Sequence, residues 1–290
     1  MSARAASLQA LQRAVGRARI DVATRDGVSH LQRLYQQGCA KVRMPLIEPG
    51  QPLQFVLLNT AGGLTDGDIY EVDVDWGESS KAIVTTQAAE RIYKSRGAPA
   101  RVVNRLTVDD DAVAVWLPQE TILFDRGRCD RLTEVSLKSS SAFVAMDSLV
   151  CGRKAMDERV RQGLWFDRWR VRIDGRLAFA DALRLASDDD VDFQALLRQQ
   201  AVAGGRQAAA TGLVVGPTAP ALRDHIRDAL QKSDVLGGVS QVGAVTCWRF
   251  LATDGDTLRR ASNQVFDALV SEAVVDNPFA GLVLPRVFRC

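Results

Sequence analysis

Tyr70-Glu71-Val72-Asp73-Val74-Asp75-Trp76 alternates strictly between apolar and acidic side chains. Successive side chains of a strand point to opposite faces, so this run reads as a half-buried strand with an apolar face of Tyr70, Val72, Val74 and Trp76. The same logic extends in both directions. Upstream lie Ala40 to Pro45 and the short apolar run Phe55-Val56-Leu57-Leu58. Downstream lie Ala82 to Thr86, Arg101 to Val108 and Ala112 to Leu117, broken by Gly97-Ala98-Pro99 and Asp109-Asp110-Asp111. Trp165 to Ile173 sets Trp165, Trp169, Val171 and Ile173 against Arg168, Arg170 and Arg172. Strands at about ten-residue spacing without helical patterns between them argue for antiparallel or stacked sheets, not a doubly wound fold.

The pattern changes near residue 187. Ser187-Asp188-Asp189-Asp190 caps an expected helix over Val191 to Ala203, and an Ala- and Gly-rich stretch runs on to Pro220. Helical spacing of Leu222, Ile226, Ala229 and Leu230, and of Leu258, Val265, Phe266, Leu269 and Val270, predicts helices near 221–232 and 256–272. Ala244 to Phe250 reads as a strand between them. No linker is evident, so one domain over 1–290 is expected, strand-rich over 17–185 and mixed over 186–290.

Composition narrows the function classes. The 290 residues are 47% hydrophobic and 25% charged, with a formal charge of only +2, which gives no global field for nucleic acid or an anionic membrane. No apolar run approaches the roughly 18–20 residues of a membrane-spanning helix. The basic N-terminus, with Arg4, Arg13, Arg17 and Arg19, lacks the apolar core of a secretory signal and reads as a cytoplasmic leader. Cys39, Cys129, Cys151, Cys247 and Cys290 are odd in number and scattered, as expected of reduced cytosolic thiols.

Asn59-Thr60-Ala61-Gly62-Gly63-Leu64-Thr65-Asp66-Gly67-Asp68 is the most conspicuous loop. It resembles a phosphate cradle only superficially. A Walker loop ends in Gly-Lys-Ser/Thr and a dinucleotide turn opens a helix, whereas this loop ends in carboxylates and leads into a strand. A tight inter-strand loop, or a carboxylate loop meeting a cation or partner, are the two readings. Glu120, Asp125, Asp147, Asp157 and Glu158, near strand ends or turns, are oxygen donors of the kind that suits hard or borderline divalent ions, although taken singly each reads as a solvated loop carboxylate. With only His30 and His225 in the chain, a Ser-His-Asp or Cys-His machine has almost no base to draw on. His30 is expected in a turn and His225 on an exposed helix face. Gln87 to Ser95 reads as a surface loop or protein interface. Arg168, Arg170 and Arg172 share one strand face and form an arginine ladder suited to an interaction surface.

Several motifs in order resemble the UreD/UreH family of urease accessory proteins. They are Gly16 to Ile20, Leu34 to Gly38, Asn59 to Asp68, Thr85 to Ser95, Leu117 to Asp125, Cys151 to Met156 and Leu284 to Arg289. One departure is Asp157, where the family pattern Gly-Arg-x-Ala-Met-Gly-Glu carries its second glycine. Asp is among the better replacements if that position has positive φ.

The resemblance implies a mainly β, elongated, β-helix-like stack of sheets with two α-helices in the C-terminal part. It implies a cytoplasmic, non-catalytic scaffold for nickel insertion into apo-urease, binding UreF and through it the GTPase UreG. No cofactor is expected to be held tightly; nickel passes in transit. Asp66, Asp68 and Glu120 are the first candidates for acids along a nickel path, followed by Asp125, Asp147 and Glu158. The rival readings are a metal-independent protein-binding module and a carboxylate-dependent hydrolase.

Overall fold

The computed structural model describes residues 13–48, 50–153, 156–187, 191–283 and 285–288. The chain runs through β1 (Val15–Arg25), β2 (Val28–Gly38), β3 (Ala40–Arg43), β4 (Leu53–Asn59), β5 (Ile69–Trp76), β6 (Lys81–Thr86) and β7 (Glu90–Ile92). It continues through β8 (Ala100–Val108), β9 (Val113–Leu117), β10 (Thr121–Leu123), β11 (Arg128–Leu137), β12 (Ala142–Cys151), β13 (Gly163–Ile173) and β14 (Arg176–Ser187). A short helix, α1 (Phe193–Arg198), precedes β15 (Ala208–Val215), α2 (Ala219–Gln231), β16 (Leu236–Val242), β17 (Val245–Ala252) and α3 (Gly255–Leu269).

Two sheets are stacked. The first has the order β14-β13-β11-β8-β5-β1-β2, and the second β16-β17-β15-β12-β9-β6-β4-β3, with β10 beside β12 and β7 beside β10. From β4 to β13 the main strands of the two sheets alternate along the chain, so each strand is the crossover for the two that flank it. That is why β1, β5, β8, β11 and β13 pair in parallel without intervening helices. The second sheet does the same through β4, β6, β9 and β12. The mainly β, solenoid-like stack agrees with the expected fold class. Among the sequence alternatives, stacking holds and the pairing at the centre is parallel.

The two apolar cores follow from the alternation. Between the sheets lie Ile20, Val72, Val74, Trp76, Trp165 and Trp169 of the first, against Phe55, Val84, Trp116 and Phe143 of the second. The outer face of the second sheet buries Ile83, Val115, Val144, Trp248 and Phe250 under Leu222 and Ile226 of α2 and Val265 and Phe266 of α3. Asp254 starts α3 by accepting the Thr257 N–H at 2.9 Å. Among the described residues no helix covers the outer face of the first sheet. There Arg17 pairs with Glu71 and Arg105 with Asp73, in ion pairs open to water.

Three local expectations change. His30 lies within β2, because the turn falls earlier, at Asp26 and Gly27, both at positive φ. The helix expected over Val191 to Ala203 shrinks to Phe193–Arg198, capped by Asp192, and 199–205 fold back as turns, with Gly205 N–H donating to the Leu197 carbonyl. The Ala- and Gly-rich stretch becomes β15, buried between β12 and β17. Small residues are needed there: a Cβ on Gly212 would meet the Trp248 ring at 2.2 Å. The basic leader at residues 1–12 lies outside the described residues.

Candidate functional site

The inner faces of parallel strands β11 and β13 carry charge at one register only, with Thr133, bonded to Asn104, as the other inward polar residue of β11. At that register Arg131 stands opposite Asp167, in the positions that alternation assigns to the core. Arg131 Nε and Nη2 donate to the two Asp167 oxygens, both at 2.8 Å, and its guanidinium lies 4.9 Å from the centre of the Trp165 ring. Facing it from β12 is Asp147, whose Oδ2 is 3.4 Å from Arg131 Nη2. Neither Asp147 oxygen accepts a hydrogen bond of good geometry; the Trp116 N–H is the donor turned toward it and favours the anion only weakly. A fully desolvated carboxylate with no hydrogen bond is costly. Burial drives the Asp147 carboxyl up to about 6; the Arg131 charge pulls it down, and the Asp167 charge adds to the rise.

Register extends this polar line across the molecule. Asp147 is opposite Thr211 of β15, which is opposite Arg249 of β17. Arg249 Nε donates to Thr211 Oγ1 at 3.0 Å, and its guanidinium pairs with Asp181 of β14, tying the two sheets together at their far end. In the other direction a space of about 60 Å³ runs between the sheets, lined by Asp147, Arg131, Asn104, Trp116, Thr86 and Glu90. That is room for roughly two to four waters. Glu90 holds two contacts from Asn59 Nδ2, at 3.1 and 3.2 Å, and one from its neighbour's N–H. Desolvation raises its carboxyl above the ordinary range against those bonds.

The other acids singled out from sequence do different work. Asp68 accepts the Ala14 and Thr65 N–H groups, each at 2.8 Å, and so ties β1 to the glycine loop. Asp66 accepts Arg13 at 3.0 Å and the Ser95 hydroxyl at 3.1 Å. Desolvation works against the Asp66 anion, yet Ser95 and Arg13 outweigh it and hold the carboxyl below its usual range. The loop itself folds tightly on β7: Leu64 N–H donates to the Arg91 carbonyl, and a Cβ on Gly63 would strike the Tyr93 ring at 2.3 Å. Asp125 accepts the Arg161 and Gln162 N–H groups at 2.7 and 3.1 Å. Glu120 pairs with Arg259 at 2.6 Å, and Glu158 with Arg153. Glu120 and Glu158 line one cleft, Asp66 and Asp68 share one loop, and Asp147 stands apart from both. Asp157 has φ 51°, so it takes the left-handed turn that glycine serves in the motif. Among the described residues no group of three or more His, Cys, Asp or Glu is placed to hold a metal ion.

Arg131 and Asp167 escaped the sequence reading although their signal was present. Each is a charged residue in phase with apolar neighbours, Cys129 and Val135 for Arg131 and Trp165 and Trp169 for Asp167. Glu90 lies within the Gln87 to Ser95 stretch, whose reading as a surface loop gives no sign that its carboxylate turns inward.

Comparison with known proteins gives this geometry its family. The profile described as UreD urease accessory protein matches residues 14–284. The chain belongs to the UreD urease accessory protein family. It is 42% identical over 264 residues to the urease accessory protein UreD of Rhizobium leguminosarum bv. viciae, covering 91% of this chain and 94% of that one. The UreD of Mesorhizobium japonicum is 42% identical over 251 residues, 86% and 88% of the two chains. That of Xanthobacter autotrophicus is 39% identical over 277 residues, 96% and 90%. Every motif from Gly16 through Cys151 thus falls within a UreD match, and among the described residues no helix is long and apolar enough to cross a membrane.

Proposed function

We propose that this UreD is a non-catalytic cytoplasmic scaffold that, with UreF and the GTPase UreG, delivers nickel to apo-urease. The observation that carries the nickel role is Asp147. It is a buried carboxylate with no hydrogen bond, on a polar line between two otherwise apolar sheets. Beyond its ion pair with Arg131 the fold gains little from such a group, since an apolar isostere would avoid the desolvation cost. A cation in passage gains an anionic stop.

Arg131 sets the strength of that stop. Its guanidinium neutralises one of the two carboxylates, so Asp147, Asp167 and Arg131 together carry at most one negative charge. A divalent ion is attracted without meeting a closed coordination shell, and it can leave. Nickel is cargo on this reading, never a resident cofactor. A carboxylate-dependent hydrolase would need paired acids beside a substrate cleft. Asp147 and Asp167 instead share one arginine in a space sized for water.

The test is expression of the urease subunits with UreF and UreG, with and without this chain, followed by metal analysis of purified urease. Nickel occupancy is expected to collapse without the chain. Equal occupancy in both preparations would overturn the proposal.

A further inference from the structure

The outer face of the first sheet changes character at its β14 edge. Toward β1 and β5, arginines and acids alternate in paired rows. On β13, Arg168, Arg170 and Arg172 follow one another on that face, and β14 adds Arg184, opposite Phe166. Arg168 pairs with Asp130 and stacks 4.6 Å from the Phe166 ring. Among the described residues Arg172 and Arg184 have no ion-pair partner.

The edge beside this ladder is open. β14 is a twelve-residue strand with one strand partner, β13, so its other side presents unpaired backbone groups. The residues opposite Arg168 and Arg170 are Ala182 and Ala180, both exposed. Small side chains there leave the long arginines free to reach over β14, across a strand spacing of about 4.8 Å. Arg170 instead folds onto the β13–β14 ladder, its Nη1 2.8 Å from the Trp169 carbonyl and 3.3 Å from the Asp181 carbonyl, which leaves Arg172 and Arg184 as the cations free to reach the edge.

We infer that the β14 edge, with the arginines beside it, receives an extended acidic segment of a partner protein, added as a further strand. Alternate residues of such a strand repeat every about 6.8 Å, the same repeat as the ladder, so carboxylates at i, i+2 and i+4 meet successive arginines. Two other occupants fit less well. A phosphate backbone cannot pair with the free N–H and C=O groups of the β14 edge, as an extended peptide does. A second copy of this chain lacks the strand to offer: the other edge strands, β2, β3 and β16, contain no acid. The inference does not depend on nickel.

The experiment uses the full chain and a fluorescein-labelled peptide of five Thr-Glu repeats, read by anisotropy, with five Thr-Gln repeats as control. The Thr-Glu peptide is expected to bind at least tenfold more tightly and to protect β14 amides from hydrogen exchange. The double variant Arg172→Gln, Arg184→Gln replaces exposed, unpaired residues; it is expected to keep the wild-type melting temperature and lose at least tenfold in affinity. Equal binding of the two peptides, unchanged β14 exchange, or wild-type affinity in the folded double variant would each overturn the inference. So would displacement of the peptide by decauridine at lower concentration than by unlabelled peptide, which would make the face a general polyanion site.

Discussion

Asp68 and Asp147 are almost equally hidden from water, at 4% and 3% exposure, yet their surroundings are opposite. Asp68 spends both oxygens on backbone N–H groups and fixes where β1 meets the glycine loop. Asp147 spends neither, and its one neighbour of opposite charge is already held by Asp167. The first is a carboxylate the fold uses; the second is one the fold tolerates. Asp147 is the one carboxylate among the described buried side chains left without a hydrogen bond, and an unmet charged group of that kind points to a role outside folding.

Breaking the buried triad should have the largest effect. Arg131→Met leaves Asp147 and Asp167 buried together without a cation, and removing one partner of a buried pair costs about 3–5 kcal/mol. Chemical denaturation at neutral pH should show that loss, and mild acid should restore part of it by protonating the stranded acids. Unchanged stability would mean the guanidinium is not holding the site together.

Asp68→Ala should cost less, about 1–3 kcal/mol, since it strands the Ala14 and Thr65 N–H groups without burying a charge. Stability and UreF binding should fall together, and added nickel should rescue nothing. A stable variant that fails only at low nickel would instead move Asp68 to the functional side of the comparison.

The pH dependence of stability reports on Asp147. Asp147 is raised in the folded chain, so the native state holds its proton more tightly than the unfolded one. Its contribution is fully present below the unfolded value near 3.8 and is lost as pH rises through about 6. Asp147→Asn should flatten that fall in a pH series of denaturation midpoints. An identical slope in the variant would show that another group carries it.

How much of this could be read in advance depends on which residues alternate. β5 and β13 were legible because one face of each meets solvent. β12 was not, since nearly every residue from Ala142 to Cys151 is buried and no period of two survives. β15 hid behind alanine and glycine, chosen for space under Trp248 and not for strand propensity. Parallel pairing is a product of strands far apart in sequence, which no local pattern encodes. Asp147 stood in the second group of the six nominated acids, behind Asp66, Asp68 and Glu120. Its rank comes from Arg131 and Asp167, brought opposite it by the stacking of the two sheets, and local sequence says nothing of that.

The most direct test is urease activation by the Asp147→Asn variant across a nickel titration. The substitution keeps the shape of the side chain, removes its charge, and gives up no hydrogen bond. The variant is expected to fold at least as stably as the wild type and to bind UreF normally. Activation should drop at limiting nickel, by tenfold or more, and recover as nickel is raised. Wild-type activation at limiting nickel, in a variant shown to be folded, would contradict the account.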